Sequence, residues 1–266
     1  MLNFQLFWQI TKRSFQRYLT YRAATLAGLL TNFFFGILRA SILIALYGSQ
    51  TEVEGISINA AVTYAAMTQA VIGYLSLFSW SDLMVTVYTG EVATDLLKPI
   101  SYLNFWMAKD LGRAIMQLIF RGITVMAGYA MIFDLVWPQG FYQWLAVFIT
   151  LALSWMISFL WRFWINLASF WTPNARGILR LFFTLSLFFS GFLMPLRFFP
   201  EWIVKLSYLT PFPHMLNTVA EVYLGVLQGA ELIIAISFQF LWIGILWLGA
   251  QITYRASVRR LVILGG

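Results

Sequence analysis

The groups that could do acid–base, nucleophilic or metal chemistry in this 266-residue chain are few: ten Asp and Glu, one His and no Cys. Without Cys there is no thiolate nucleophile, no thiolate metal site and no disulfide framework. The single imidazole, His214, stands between Pro213 and Met215 with no second His or Cys to complete a metal site, and reads as a structural or interfacial side chain. No serine occupies a nucleophile turn and no carboxylate adjoins His214, so a hydrolytic triad has no foundation. No Gly-rich loop ends in Gly-Lys-Ser or Gly-Lys-Thr; any dependence on ATP must come from a partner. The chain therefore reads as carrying no catalytic, metal or cofactor site of its own.

Asp82, Glu91, Asp95 and Asp110 fall in what reads as an aqueous loop, Glu52, Glu54 and Asp134 in connections on the opposite side, and Glu201, Glu221 and Glu231 in or beside the long segment before the last apolar run. None lies at the centre of an apolar run, which disfavours a carrier driven by protons or sodium. Basic and amide groups do enter such runs. Arg39 shares a helical stripe with Gly28, Asn32 and Gly36. That stripe should face protein or water: either Arg39 and Asn32 line a pathway or a subunit interface, or the Arg39 side chain snorkels to the headgroups. Arg121 shares a face with Gln117, Thr124 and Gly128, close enough to a membrane surface to snorkel. Gln69, Gly73 and Ser76 form a third short stripe, of the kind that packs helices or borders a path. Gly225 and Gly229 have the spacing of a helix-dimerisation pair but fall outside an apolar run, and read as a chance match or a turn.

Composition sets the elements that position these residues. The chain is 61% hydrophobic and 10% charged, with 25 Phe, 12 Trp and 12 Tyr, and its mean hydropathy is +0.79. That is the composition of an integral membrane protein. Long uninterrupted apolar runs, rather than ten-residue alternating segments, make the spans helices and the fold all-α. Runs of spanning length occupy residues 24–47, 58–81, 114–135, 142–165, 178–196 and 230–253, the fifth interrupted by Gly191 and Pro195. Residues 1–22 carry Lys12, Arg13, Arg17 and Arg22 among apolar positions, without a signal-peptide core. They are expected to form a retained helix lying in the membrane interface, where basic residues meet anionic lipid. The expected organisation is one transmembrane domain over 1–266, with the interfacial helix at 1–22, six spans within 24–253 and a tail at 254–266.

Orientation follows from where the basic residues lie. With both termini inside, thirteen of the 17 Lys and Arg are cytoplasmic: Lys12, Arg13, Arg17, Arg22, Lys98, Lys109, Arg113, Arg162, Arg176, Arg180, Arg255, Arg259 and Arg260. Arg197 and Lys205 lie outside. This asymmetry accounts for the net charge of +7 without nucleic acid.

Two connections carry more information than the spans. The loop Tyr88-Thr89-Gly90-Glu91-Val92-Ala93-Thr94-Asp95-Leu96-Leu97-Lys98-Pro99 alternates acidic and apolar residues at helical spacing and stops at Pro99, predicting a short amphipathic helix along the membrane surface. It serves either as an interfacial anchor or as a ridge on which a soluble partner docks. The stretch Ser190-Gly191-Phe192-Leu193-Met194-Pro195 continues through Pro200-Glu201-Trp202 and Pro211 to Glu221 and Gly225, and is too apolar for a solvated loop. It is expected to hold two short helices between Pro195 and Gly225 that either dip into the membrane and return or lie on the headgroups.

In this order among six spans, these features resemble the type-2 ABC transporter permeases, the membrane subunits of bacterial ABC exporters, over nearly the whole chain. The resemblance implies an interfacial amino-terminal helix, a coupling helix between spans two and three carried by Glu91, Asp95, Leu96, Leu97, Lys98 and Pro99, and a re-entrant exit hairpin between spans five and six marked by Gly191, Pro195, Pro200, Glu201, Trp202, Pro211 and Glu221. It implies two ATPase subunits that bind ATP and Mg, a second permease that is identical or homologous, surrounding membrane lipid, and a bacterial inner-membrane location with both termini cytoplasmic. The expected function is ATP-driven export of a small hydrophobic or cationic compound. Alternatives are export of lipid or lipid-linked polysaccharide, with Trp155, Trp161, Trp164 and Trp171 as sugar-stacking faces, or a membrane enzyme or assembly factor that does not transport.

Overall fold

A computed structural model of the chain describes residues 4–78, 80–172 and 174–260. Its helices are α1 (Phe4–Thr20), α2 (Arg22–Tyr47), α3 (Ile58–Leu75), α4 (Asp82–Tyr88), α5 (Val92–Leu96), α6 (Tyr102–Gln117), α7 (Ile123–Ala130), α8 (Gly140–Asn166), α9 (Arg176–Phe189), α10 (Glu201–Tyr208), α11 (Asn217–Tyr223) and α12 (Gly229–Val258). The all-α expectation needs one small correction. Strands β1 (Glu52–Val53) and β2 (Ile56–Ser57) pair antiparallel, with Glu52 opposite Ser57.

Among the described residues, three helices have the length and apolar composition to cross a bilayer: Ala23–Tyr47, Gly140–Phe170 and Gly229–Val258. At about 1.5 Å per residue each exceeds the ~30 Å hydrocarbon core. Large apolar side chains stay exposed along α2 and α12, among them Leu30, Phe34, Leu241 and Ile252. Lipid or another apolar surface is the solvent that permits this. α3 is different, being buried on almost every side between α2, α6, α7, α8 and α11. Its small residues Ala61, Ala65, Ala66 and Ala70 let those helices approach closely. Side-chain caps start two of the helices: the Ser57 hydroxyl accepts from Ala60 N at 3.3 Å before α3, and that of Ser101 from Asn104 N at 3.3 Å before α6.

Several boundaries differ from the sequence expectation. The run placed at 58–81 ends as a helix at Leu75, where Ser76 adopts a left-handed conformation with φ +52°. The run placed at 114–135 belongs to a helix that begins at Tyr102 and continues through a π-helical turn, Leu118–Gly122, to Ala130. Lys109, Asp110 and Arg113 are thus helical, not part of an aqueous loop. The run placed at 178–196 stops as a helix at Phe189, giving α9 about 21 Å of length. Gly191, at φ +80°, turns the chain out of it. Residues 254–258 of the expected tail continue α12, and 261–266 lie outside the described residues.

α1 is tied to α6. A Cβ added at Gly112 would stand 2.2 Å from Thr11 O and 2.8 Å from Phe15 N, so only glycine permits this crossing. Beside it, Ser14 Oγ donates to Lys109 O at 2.6 Å. Phe7, Thr11 and Ser14, at spacings of four and three, form the buried stripe of α1.

Candidate functional site

The 88–98 segment is not one amphipathic helix. Gly90, at φ +80°, separates α4 from the single turn α5. α4 buries Leu83 and Met84 and is pinned by Asn166, whose Oδ1 accepts from Met84 N at 3.2 Å while its Nδ2 donates to Trp80 O at 2.9 Å. α5 is anchored by Asp95, only 7% exposed, which pairs with Lys98 at 2.5 Å; the ammonium also lies 3.7 Å from the Phe105 ring centroid. Asp95 and Lys98 therefore face the protein, contrary to a docking role for their side chains. Leu96 is half-buried. Glu91, Leu97 and Pro99 point outward, Leu97 at 86% exposure, joined by Val85 and by Tyr88 at 63%. The outward face thus combines apolar side chains with one carboxylate. Val85 escaped the sequence reading because the amphipathic segment was taken to begin at Tyr88.

Under this face lies a buried ionic cluster the sequence reading missed. Asp110 Oδ1 accepts from Arg113 Nε at 2.8 Å and Arg162 Nη1 at 3.0 Å; Oδ2 accepts from Arg162 Nη2 at 2.8 Å and Trp155 Nε1 at 2.9 Å. Four donors fill the carboxylate's acceptor sites, two of them in the bidentate arrangement that suits guanidinium. Arg113 spends its other hydrogens on Gly73 O at 2.6 Å and Tyr74 O at 3.0 Å, carbonyls at the C-terminal end of α3 where the helix dipole is negative. Arg162 Nε donates to Ser158 Oγ at 3.2 Å, and Ser158 donates to Leu75 O at 2.6 Å. The cluster locks α3, α6 and α8 together behind α4. The available signal was the spacing of Asp110 and Arg113, one helical turn apart after the Ser101 cap.

At the opposite end of α3, polar contacts hold the segment that follows α9. Arg39 donates through Nη1 to Thr68 Oγ1 at 3.1 Å and through Nη2 to Leu193 O at 2.8 Å and to Phe192 O, and its guanidinium carbon lies 4.4 Å from the Phe192 ring centroid. Neither snorkelling nor an open path describes this. Arg39 supplies donors to carbonyls freed where α9 ends. Tyr64 Oη stands 2.7 Å from Gly191 O and 2.9 Å from Asn217 Oδ1, sharing its proton between them. Asn217 Oδ1 also accepts from Leu196 N at 3.2 Å, and Asn217 N donates to Ser190 O at 3.1 Å. Asn217 is therefore the hub of the turn, and nothing in its sequence context marked it. A Cβ at Gly191 would meet Tyr64 Oη at 2.5 Å, a second reason for glycine there.

Two short helices, α10 and α11, occupy the stretch between Pro195 and Gly225. Pro200 immediately precedes α10, while Pro195 and Pro211 are buried in the turns. Glu221, 3% exposed, pairs with Arg197 at 3.1 Å, and Arg197 Nη1 reaches Glu54 O at 3.1 Å, joining α11 to the β1–β2 turn. Glu201 pairs with Lys205 at 3.3 Å on the exposed side of α10, where Trp202 is 67% exposed. His214 is buried, 3.3 Å from Thr218 Oγ1 and stacked on Phe238. Gly225 and Gly229, at φ +73° and +54°, are turn glycines.

The α2 stripe faces protein, as its periodicity requires, and its side-chain polar atoms other than Arg39 Nε are hydrogen-bonded within the chain. Asn32 Nδ2 donates to Gln69 O at 3.0 Å and Asn32 Oδ1 accepts from Arg121 Nη2 at 2.6 Å, which also donates to Gly28 O at 2.8 Å. Gln69 is buried in α3. Arg121 thus crosses to α2 from the π-helical turn instead of snorkelling. Three tryptophans proposed as sugar faces are also engaged: Trp155 with Asp110, Trp161 Nε1 with Ser186 Oγ at 2.8 Å and Trp164 Nε1 with Thr253 Oγ1 at 2.8 Å.

Long apolar helices with exposed apolar flanks, joined by internally braced polar connections, define a multi-pass membrane protein. Residues 30–265 match the family described as ABC-2 family transporter protein, and the chain belongs to that family as a type-2 ABC transporter permease. No curated protein matches the sequence. Members of this family are membrane components that work with an ABC ATPase carried on a separate subunit.

Proposed function

We propose that this chain is half of the translocation unit of an ATP-driven exporter in a bacterial inner membrane, paired with a second permease and served by two ATPase subunits. In this reading α2, α3, the α6–α7 helix, α8, α9 and α12 are six spans, both termini are cytoplasmic, and α10–α11 form a hairpin in the outer leaflet. A hairpin seated there accounts for the shortness of α9, since the turn at Gly191 is then already within the bilayer. Irregular backbone at that depth needs internal partners. Tyr64, Arg39 and Asn217 supply them.

The observation that carries the coupling reading is the outward face of α4–α5, with Leu97 86% exposed over a base fixed by Asp95–Lys98 and Asn166. A ridge that transmits force must be stiff beneath and open above. ATP binding closes the ATPase pair, the ridge moves with it, and the membrane helices change arrangement by the difference in nucleotide affinity between the two states. Glu91→Lys with Leu97→Glu should leave insertion and melting unchanged and reduce ATPase co-purification at least tenfold. Full co-purification would remove the coupling role. The small hydrophobic or cationic substrate remains the preferred class over lipid-linked sugar, because the Trp155 ring is buried against Phe159 and the Trp161 and Trp164 rings pack against each other, Trp161 also against Phe182 and Phe212.

A further inference from the structure

Between α1 and the first turns of α6 lies a cavity of about 300 Å³ that neither the coupling face nor the hairpin uses. Arg13 and Arg17 of α1 and Lys109 of α6 line it, with Trp80 and Trp106 among its apolar walls. Asp110 and Arg113 reach the same wall but are committed to each other, Asp110 also to Arg162 and Arg113 to the Gly73 and Tyr74 carbonyls. None of the three remaining cations has an ion pair among the described residues. Lys109 is half-buried, its Nζ 4.0 Å from the Trp106 ring centroid and 5.5 Å from that of Phe105. Aromatic faces attract an ammonium without neutralising it.

Asp82 is the one further carboxylate on the lining, and a single exposed carboxylate does not balance three cations. The crossing at Gly112 fixes α1 against α6, so the three cations are held together whether or not an anion is present. Like charges confined in this way favour a ligand with several anionic oxygens. Phe4 and Trp8 leave large apolar surfaces exposed on the same helix, which suits the boundary between headgroups and acyl chains.

We propose that this cavity binds the phosphodiester headgroup of an anionic phospholipid, with the phosphate on Arg13, Arg17 and Lys109 and the acyl chains in the surrounding bilayer. The inference depends on α1 lying in the membrane interface and is independent of substrate and of ATPase coupling. Native mass spectrometry of the purified full chain in neutral detergent tests it, with phosphatidylglycerol, phosphatidylcholine and soluble glycerol phosphate as probes. Phosphatidylglycerol should bind at least tenfold more tightly than phosphatidylcholine and resist a hundredfold excess of glycerol phosphate. Arg13→Gln with Arg17→Gln changes only exposed side chains of α1 and should weaken phosphatidylglycerol at least tenfold, as should Lys109→Gln from the other wall. The charge-matched Lys12→Gln with Arg259→Gln should not. Equal loss in that control, or undiminished binding in both cavity variants, would overturn the site. Complete displacement by glycerol phosphate would overturn the lipid and assign a soluble phosphate.

Discussion

At Asp110 four hydrogen-bond donors converge on one carboxylate, and two of the three side chains supplying them are guanidiniums. Neutralising that carboxylate leaves buried positive charge without a counter-ion, a change that typically costs about 3–5 kcal/mol. Asp110→Asn should therefore lower the melting temperature in detergent by many degrees and reduce folded yield, whereas Glu201→Gln, in an exposed pair, should shift melting little. Equal melting of Asp110→Asn and the wild type would show that the cluster is not a structural requirement. Hydropathy placed Lys109, Asp110 and Arg113 in a loop because it scores each charge as though water surrounded it; pairing partners on α8 are invisible to such a score. Arg39 was legible as a charge on a protein-facing stripe. Its acceptors, carbonyls more than 150 residues away in sequence, were not.

At the scale of elements, long helices were legible and their junctions were not. The apolar runs at 24–47, 142–165 and 230–253 correspond closely to α2, α8 and α12 because length and composition alone define such helices. The coupling segment divided differently because Gly90 takes a positive φ that interrupts the helical period. The hairpin's two helices followed from Pro and Gly punctuation, whereas its attachment to α2 and α3 depends on Tyr64, Arg39 and Asn217 meeting in space. Arg39→Leu removes donors from two carbonyls of that attachment. Hydrogen exchange in residues 190–198 should accelerate at least tenfold in Arg39→Leu, with partial protection in Arg39→Lys, since an ammonium is a single point donor. Unchanged exchange in both would mean that Tyr64 and Asn217 suffice.

The whole molecule is braced at both ends of α3, by an ionic cluster at one and by the Tyr64–Asn217 contacts at the other, with its exposed apolar belt between. If α10–α11 return to the surface they left, cysteines placed at Lys205 and Gln228 should both react with a membrane-impermeant maleimide added from the periplasmic side of spheroplasts. Labelling of either one only from the cytoplasm would defeat the hairpin and the six-span arrangement together. The proposed six-span arrangement implies this common sidedness, and the shared exposure of Gln228 and Lys205 makes both chemically accessible.

The contact between α1 and α6 also imposes an order on biosynthesis. Ser14 and Lys109 are separated by 95 positions, so α1 leaves the ribosome well before the helix that receives it exists. At roughly 5–20 residues per second the delay is on the order of 5–20 seconds. Through that interval the amphipathic helix has nowhere to seat Phe7 except the bilayer surface. Closure of α1 over Gly112 is then a late event, gated by insertion of α6, and a nascent chain arrested before residue 112 would carry a first helix that is membrane-adsorbed but undocked.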